Sequence, residues 1–178
     1  MNHISDELLV KKSVEGDMAS FKELVFRHEG KVAGVVKSML GSTEEASDVG
    51  QDVFIRFFES LNKFRGESTV GTYLVRIAIN LSLNELKNRK RRFLFFSKEE
   101  VGEHVAFKEN QVDLKEMLDY EFNQLEADFK AVATLRLIEG YSTEETADLL
   151  QIPLGTVLSR LSRAQKKLRN GLQKYLNT

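Results

Sequence analysis

Tyr141-Ser142-Thr143-Glu144-Glu145-Thr146-Ala147-Asp148-Leu149-Leu150-Gln151-Ile152-Pro153-Leu154-Gly155-Thr156-Val157-Leu158-Ser159-Arg160 reads as two helices joined by a tight turn. Ser142 and Glu145 have the spacing of a capping box, in which the hydroxyl and the carboxylate satisfy free N–H groups at the helix start. Ala147 is small where two helices must approach closely, and Ile152 can plug the core of the turn. Pro153 suits the first turn of the second helix, where its missing N–H costs little. That second helix continues unbroken to the C-terminus, which defines a helix-turn-helix followed by a long basic segment.

On the second helix Val157, Leu161, Ala164 and Leu168 recur at helical spacing and form an inward face. Ser159, Arg163 and Lys166 project opposite, with Thr156, Arg160 and Lys167 beside them. From Pro153 to Thr178 the charges are all basic. Hydroxyls and guanidinium groups are what base edges and phosphates require, and the helix N-terminus itself can receive a phosphate. An ordinary amphipathic helix with a solvated basic face is the alternative. The capped helix before it, the short turn and the acid-free face together favour a helix that enters the major groove of DNA.

The chain has 178 residues, 42% of them hydrophobic and 30% charged, with one proline, which favours an all-α protein. The net charge of −1 argues against indiscriminate nucleic-acid binding, but its distribution is uneven. Basic residues cluster at Lys87, Arg89, Lys90, Arg91 and Arg92 and again after Pro153, and acids dominate from Glu99 to Asp128. No cysteine is present, in keeping with a reducing cytoplasm and excluding disulfides and thiolate metal sites. No signal-peptide pattern and no bilayer-length apolar run occurs, so a cytoplasmic protein without membrane insertion is expected.

Upstream, Ser5 can cap a first helix to about Glu15, and Asp17 a second carrying Phe21, Leu24, Val25, Val32, Val35, Val36 and Met39. Gly41-Ser42-Thr43 separates it from a third helix, about Glu44 to Leu61. After a polar turn, a fourth helix is expected from Val70 to Arg92, with Val70, Leu74, Ile77 and Leu81 inward. Periodicity lapses from Phe93 to Gln111 and resumes at Val112, with Gly140 as a stop. The expectation is two small helical domains, 1–92 and 112–178, joined by a flexible linker at 93–111.

Two further faces carry chemistry. Tyr73, Arg76, Asn80, Asn84, Lys87 and Arg91 form one stripe on the fourth helix. Stacking, amide and cationic groups in a row suit a nucleic acid with partly exposed bases; a solvated outer face is the equal alternative. The third helix is acidic: Glu44, Asp48, Asp52 and Glu59 share a face, with Gln51 nearby. Like charges four apart destabilise a helix by roughly a few tenths of a kcal/mol per pair, which a basic partner would relieve. His3, His28 and His104 are scattered, so no metal site is expected, nor any cofactor or paired-carboxylate catalysis.

These residues resemble the bacterial sigma-70 family of RNA polymerase initiation factors, nearest its extracytoplasmic-function group. Glu44-Glu45-Ala46-Ser47-Asp48-Val49-Gly50-Gln51-Asp52-Val53-Phe54-Ile55-Arg56-Phe57-Phe58 is similar to the family's core-polymerase-binding helix. Thr72-Tyr73-Leu74-Val75-Arg76-Ile77-Ala78-Ile79-Asn80 resembles the segment that engages the promoter −10 element. Glu139-Gly140-Tyr141-Ser142 through Arg163-Ala164 resembles the −35-reading helix-turn-helix. The likeness spans nearly the whole chain outside the linker.

The resemblance implies a non-enzymatic sigma factor that binds core RNA polymerase and promoter DNA and has an anti-sigma partner. Glu44, Glu45, Asp48, Gln51 and Asp52 would dock on polymerase. Phe64, Arg65, Tyr73, Arg76, Asn80, Asn84, Lys87 and Arg91 would hold the −10 element. Thr156, Ser159, Arg160, Arg163, Lys166 and Lys167 would read the −35 element. The chain departs from the family pattern at several places. Tyr73 replaces a Trp, and Asn84 stands where an Asp is common. Leu158 replaces a frequent Lys and removes a phosphate contact; Thr146 replaces a buried aliphatic residue. The usual proline near Leu125-Glu126 is absent. A free-standing helix-turn-helix regulator is the competing expectation, and a sigma-like partner for an inhibitor a more distant one.

Overall fold

A computed structural model describes residues 4–96 and 113–176. Among the described residues the elements are eight α-helices, one 3-10 turn and one π-turn, with no strand. The chain divides into two compact units, 1–82 and 83–178.

The first unit contains α1 (Asp6–Val14), α2 (Met18–Leu40), α3 (Glu44–Ser60), a 3-10 turn (Leu61–Lys63) and the start of α4 (Val70–Phe96). Three caps set the helix starts. Ser5 accepts from the Leu8 N–H at 3.3 Å, Asp17 from Ala19 at 3.0 Å, and Thr43 from Ala46 at 3.2 Å. Hydrogen bonds from Ser20 hold the Asp17 carboxyl below the usual carboxylate range. Helix α1 is tied to α2 through Asp6, which meets Arg27 at 3.0 Å and His28 at 2.6 Å. Burial pushes the Asp6 carboxyl up, but hydrogen bonds from His28 and Arg27 outweigh it and leave it low.

Leu24, Val32, Val35, Val36 and Met39 from α2 are buried with Val49, Val53 and Phe57 from α3. Each such side chain contributes about 1.5–3 kcal/mol when taken out of water. The buried side of α4 is wider than its sequence suggests. Val70 and Leu74 are buried as expected, but Val75, Ala78, Ile79 and Ser82 are too, whereas Ile77 and Leu81 are only half-buried. The inward arc is therefore rotated, with the small side chains at 78 and 82 fully enclosed. Helix α4 also runs past Arg92, so Phe93–Phe96, expected to open the linker, are helical. The remainder of that linker, 97–111, lies outside the described residues, as does Val112.

In the second unit, α5 (Leu114–Asn123) and α6 (Ala127–Ala133) precede a π-turn (Thr134–Ile138), then α7 (Thr143–Leu150) and α8 (Leu154–Leu176). Leu125, Ala133 and Ala164 form a core cluster, flanked by Phe122, Phe129 and Leu168. Gly140 ends the π-turn at φ +74, a conformation open to glycine at little cost.

Candidate nucleic-acid and protein interfaces

The helix-turn-helix forms as its residues predict. Ser142 and Glu145 make both halves of the capping box, at 3.1 Å and 2.7 Å. Gln151 adopts the left-handed conformation after α7, and the Ile152 N–H donates to the Ala147 carbonyl at 3.1 Å. This is the helix-ending geometry that glycine usually supplies. Pro153 sits just before α8 and its carbonyl accepts from Thr156 at 2.8 Å, so the missing N–H falls where no bond is lost.

The six residues assigned to the −35 element fall into two groups. Ser159, Arg163 and Lys166 are exposed on the outward face of α8. The Ser159 hydroxyl donates to the Thr156 carbonyl at 3.0 Å, so its lone pairs remain for a partner. Arg160 and Lys167 instead turn towards the start of α6, with half-buried Thr156 on the same flank. Arg160 pairs with Asp128 at 2.7 Å, and Lys167 pairs with Glu126 and stands 5.5 Å above the Phe129 ring. The Lys167 hydrogen bond holds the Glu126 carboxyl below its ordinary range. Sequence reading missed these pairs because they join residues 32 and 41 positions apart.

On α3, Glu44, Glu45, Asp48, Gln51 and Asp52 are all exposed, with Glu59. Val49, Val53 and Phe57 hold the opposite side in the core. The structure adds two apolar side chains to the acidic face. Ile55 is 54% exposed in its middle, three residues after Asp52 and four before Glu59, and Phe58 is exposed at its edge. The same helical spacing that grouped the acids includes Ile55 and could have found it.

The −10 set centres on aromatic rings. Phe64, at the end of the 3-10 turn, stands 5.2 Å from Tyr73 in the first turns of α4. The Thr69 hydroxyl accepts from the Thr72 N–H at 3.1 Å, fixing the start of that helix. Gly66 at φ +71 lets the intervening turn reverse. Arg65 is exposed in that turn. Along α4, Tyr73 and Arg76 are half-buried, and Asn80, Asn84, Lys87 and Arg91 are exposed. Arg91 donates to its neighbour Asn88.

Lys130 is a buried cation that sequence reading did not single out. It is 3% exposed, and its ammonium donates to the Asn123 carbonyl at 3.1 Å, at the end of α5. Burial pushes its pKa down to about 8. Among the described residues no group of three metal-ligating side chains gathers, and no helix is long and apolar enough to cross a membrane.

Comparison with known proteins converges with this geometry. Residues 24–92 match the family described as Sigma-70 region 2, and residues 115–168 the family described as Sigma-70, region 4. The chain is 36% identical over 183 residues to the ECF RNA polymerase sigma-E factor of Haemophilus influenzae, covering 96% of each. It is 33% identical over 184 residues to the RNA polymerase sigma-H factor of Pseudomonas aeruginosa, covering 96% of this chain and 95% of that one. The solved structure of CnrH in complex with the cytosolic domain of CnrY matches with a TM-score of 0.67 at 25% identity, covering 95% and 97% of the two chains. The sigma factor RpoE of Bartonella quintana, solved with the anti-sigma factor NepR, shares the fold: TM-score 0.68, 24% identity, 86% and 96% coverage.

Regions 2 and 4 in this order define a transcription initiation factor that works with RNA polymerase. The chain belongs to the sigma-70 family, in its extracytoplasmic-function group.

Proposed function

We propose that this sigma factor divides its work among three faces. The exposed acids of α3 dock on a basic surface of core polymerase, with Ile55 as an apolar anchor inside the charged rim and Phe58 at its edge. Phe64, Arg65 and the Tyr73-to-Arg91 stripe of α4 capture the −10 strand as it opens, by stacking and phosphate contacts. The outward face of α8 reads the −35 duplex through Arg163, Lys166 and Ser159, with Thr156, Arg160 and Lys167 flanking. No reaction is catalysed by the chain itself; it acts on polymerase in the cytoplasm.

The observation that carries this reading is the opposite charge of two exposed helical faces: acids on α3 and an acid-free basic surface on α8. Of the structural relatives, the Bartonella quintana sigma factor was solved with the anti-sigma factor NepR, and CnrH with the cytosolic domain of CnrY. We infer the same form of control here, with an anti-sigma partner covering surfaces that polymerase would otherwise use.

The test is reconstituted transcription with core polymerase on genomic DNA, reading the start sites. Asp48→Arg with Asp52→Arg is expected to weaken core binding at least tenfold without changing helical content. Arg163→Ala is expected to lower output from −35-dependent promoters. Normal core binding by the charge-reversed variant would refute the α3 assignment. Specific gel-shift of duplex DNA by the free chain, without polymerase, would point to a stand-alone regulator.

A further inference from the structure

We propose that Leu158, with Leu154 one turn before it, recognises the C5-methyl group of a thymine in the major groove of the −35 element. The inference rests on the assignment of α8 as the −35 reader. Leu158 is 50% exposed and Leu154 is 42% exposed, on a helix whose other outward side chains are basic, hydroxyl-bearing or amide. Four residues apart, they stand side by side.

Among the described residues the fold leaves this flank uncovered. Arg160, two residues on, is directed to Asp128 on α6, and a rotation of about 200° separates the two positions. Leu158 therefore lies on the side of α8 remote from that acidic contact. Around the helix it is about 40° from Ser162, beside the outward face that holds Ser159, Arg163 and Lys166. Between the leucines, a side chain at Gly155 would meet nothing within 4 Å. Protein packing does not demand a glycine there, and its bare backbone gives an incoming groove wall close access.

The chemistry then selects one base. A leucine offers no hydrogen bond to a phosphate or to the polar edge of guanine. In the major groove only thymine presents a methyl group. Any base that places an unsatisfied donor or acceptor against Leu158 is penalised. Loss of one buried methyl corresponds to about fourfold in affinity. The polar and basic face reads polar base edges and phosphates, and the leucine pair adds discrimination for thymine.

Holoenzyme, reconstituted with core polymerase, is presented with promoter duplexes randomised across the −35 positions. The pool is synthesised once with thymine and once with uracil, which lacks only the methyl. Bound duplexes are sequenced. The expected result is about fourfold enrichment of thymine at one position or two adjacent positions. That enrichment falls towards one in the uracil pool and with Leu158→Ala, a change at a half-exposed helical site that leaves the fold intact. Enrichment that survives either change, or no thymine preference anywhere, overturns the inference. Base preferences that vanish with Arg163→Ala but ignore the methyl sink this inference alone. No base preference at any −35 position, even with the unaltered chain, sinks the −35 assignment and this inference with it.

Discussion

The ring of Tyr73 meets the ring of Phe64 nearly edge-on, with centroids 5.2 Å apart and planes at 70°. Both stand against the buried Phe57, at 6.0 Å and 6.4 Å. Phe57 in turn lies 6.1 Å from Phe21 of α2. A chain of rings thus runs from the core to the surface, and on the proposed −10 role its two outermost members are packed in place before any nucleic acid arrives. Such pre-ordering lowers the entropic cost of stacking a base.

Tyr73→Ala should therefore impair strand opening more than polymerase binding. Stacking of one base on an aromatic ring is worth about 1–3 kcal/mol, so open-complex formation should drop by roughly tenfold to a hundredfold. Permanganate reactivity of unpaired thymines measures it. Tyr73→Phe keeps the ring and should retain opening.

Asp128→Asn should release Arg160 from its partner. The pair is partly solvent-exposed, so the loss of stability should be at most about 1 kcal/mol. Removing an acid beside the helix proposed to face DNA should strengthen promoter binding by holoenzyme. The logarithmic salt slope should steepen by about one ion as Arg160 becomes available to a phosphate. Binding titrations at several salt concentrations check both effects.

Lys130 gives the second unit a pH dependence. Its folded pKa of about 8 lies below the ordinary value of 10.5. Between those values the unfolded chain binds the proton and the folded chain does not, so stability rises with pH across that window. Below about pH 8 both states are charged and the cost of burying the ammonium is fully present. Urea unfolding between pH 7 and 10 should show a gain of up to roughly 3 kcal/mol. Lys130→Met should flatten the curve.

Gln151→Gly should stabilise the helix-turn-helix. Gln151 holds φ 54 and ψ 46, a region that costs a residue with a side chain about 1–2 kcal/mol. Part of that gain is offset by the greater freedom of glycine in the unfolded chain. A rise in thermal midpoint with unchanged promoter selectivity is the expected outcome.

The helices were readable because their caps are local: Ser5, Asp17, Thr43 and Ser142 each act within three residues. The acidic face of α3 and the outward face of α8 were readable for a related reason, since helical spacing alone assembles them. Long-range partners were not. Nothing near Arg160 in the chain announces Asp128, and nothing near Lys130 announces that it will be enclosed. The burial of Ser82 was hidden because a small hydroxyl residue reads as surface until its neighbours are known. Thr146 illustrates the same limit. Its place in a buried position was expected from the resemblance, but only the fold shows its hydroxyl sealed in without a hydrogen-bond partner among the described residues.

Ile55, flanked on α3 by the carboxylates of Asp52 and Glu59, separates two stages of an encounter. Carboxylates act at a distance and accelerate diffusion towards a cationic target, an advantage that dissolved ions erode. The isoleucine acts only on touching, and its grip is indifferent to those ions. On the proposed docking, ionic strength sets how often this subunit reaches the enzyme, and the aliphatic side chain sets how long it stays.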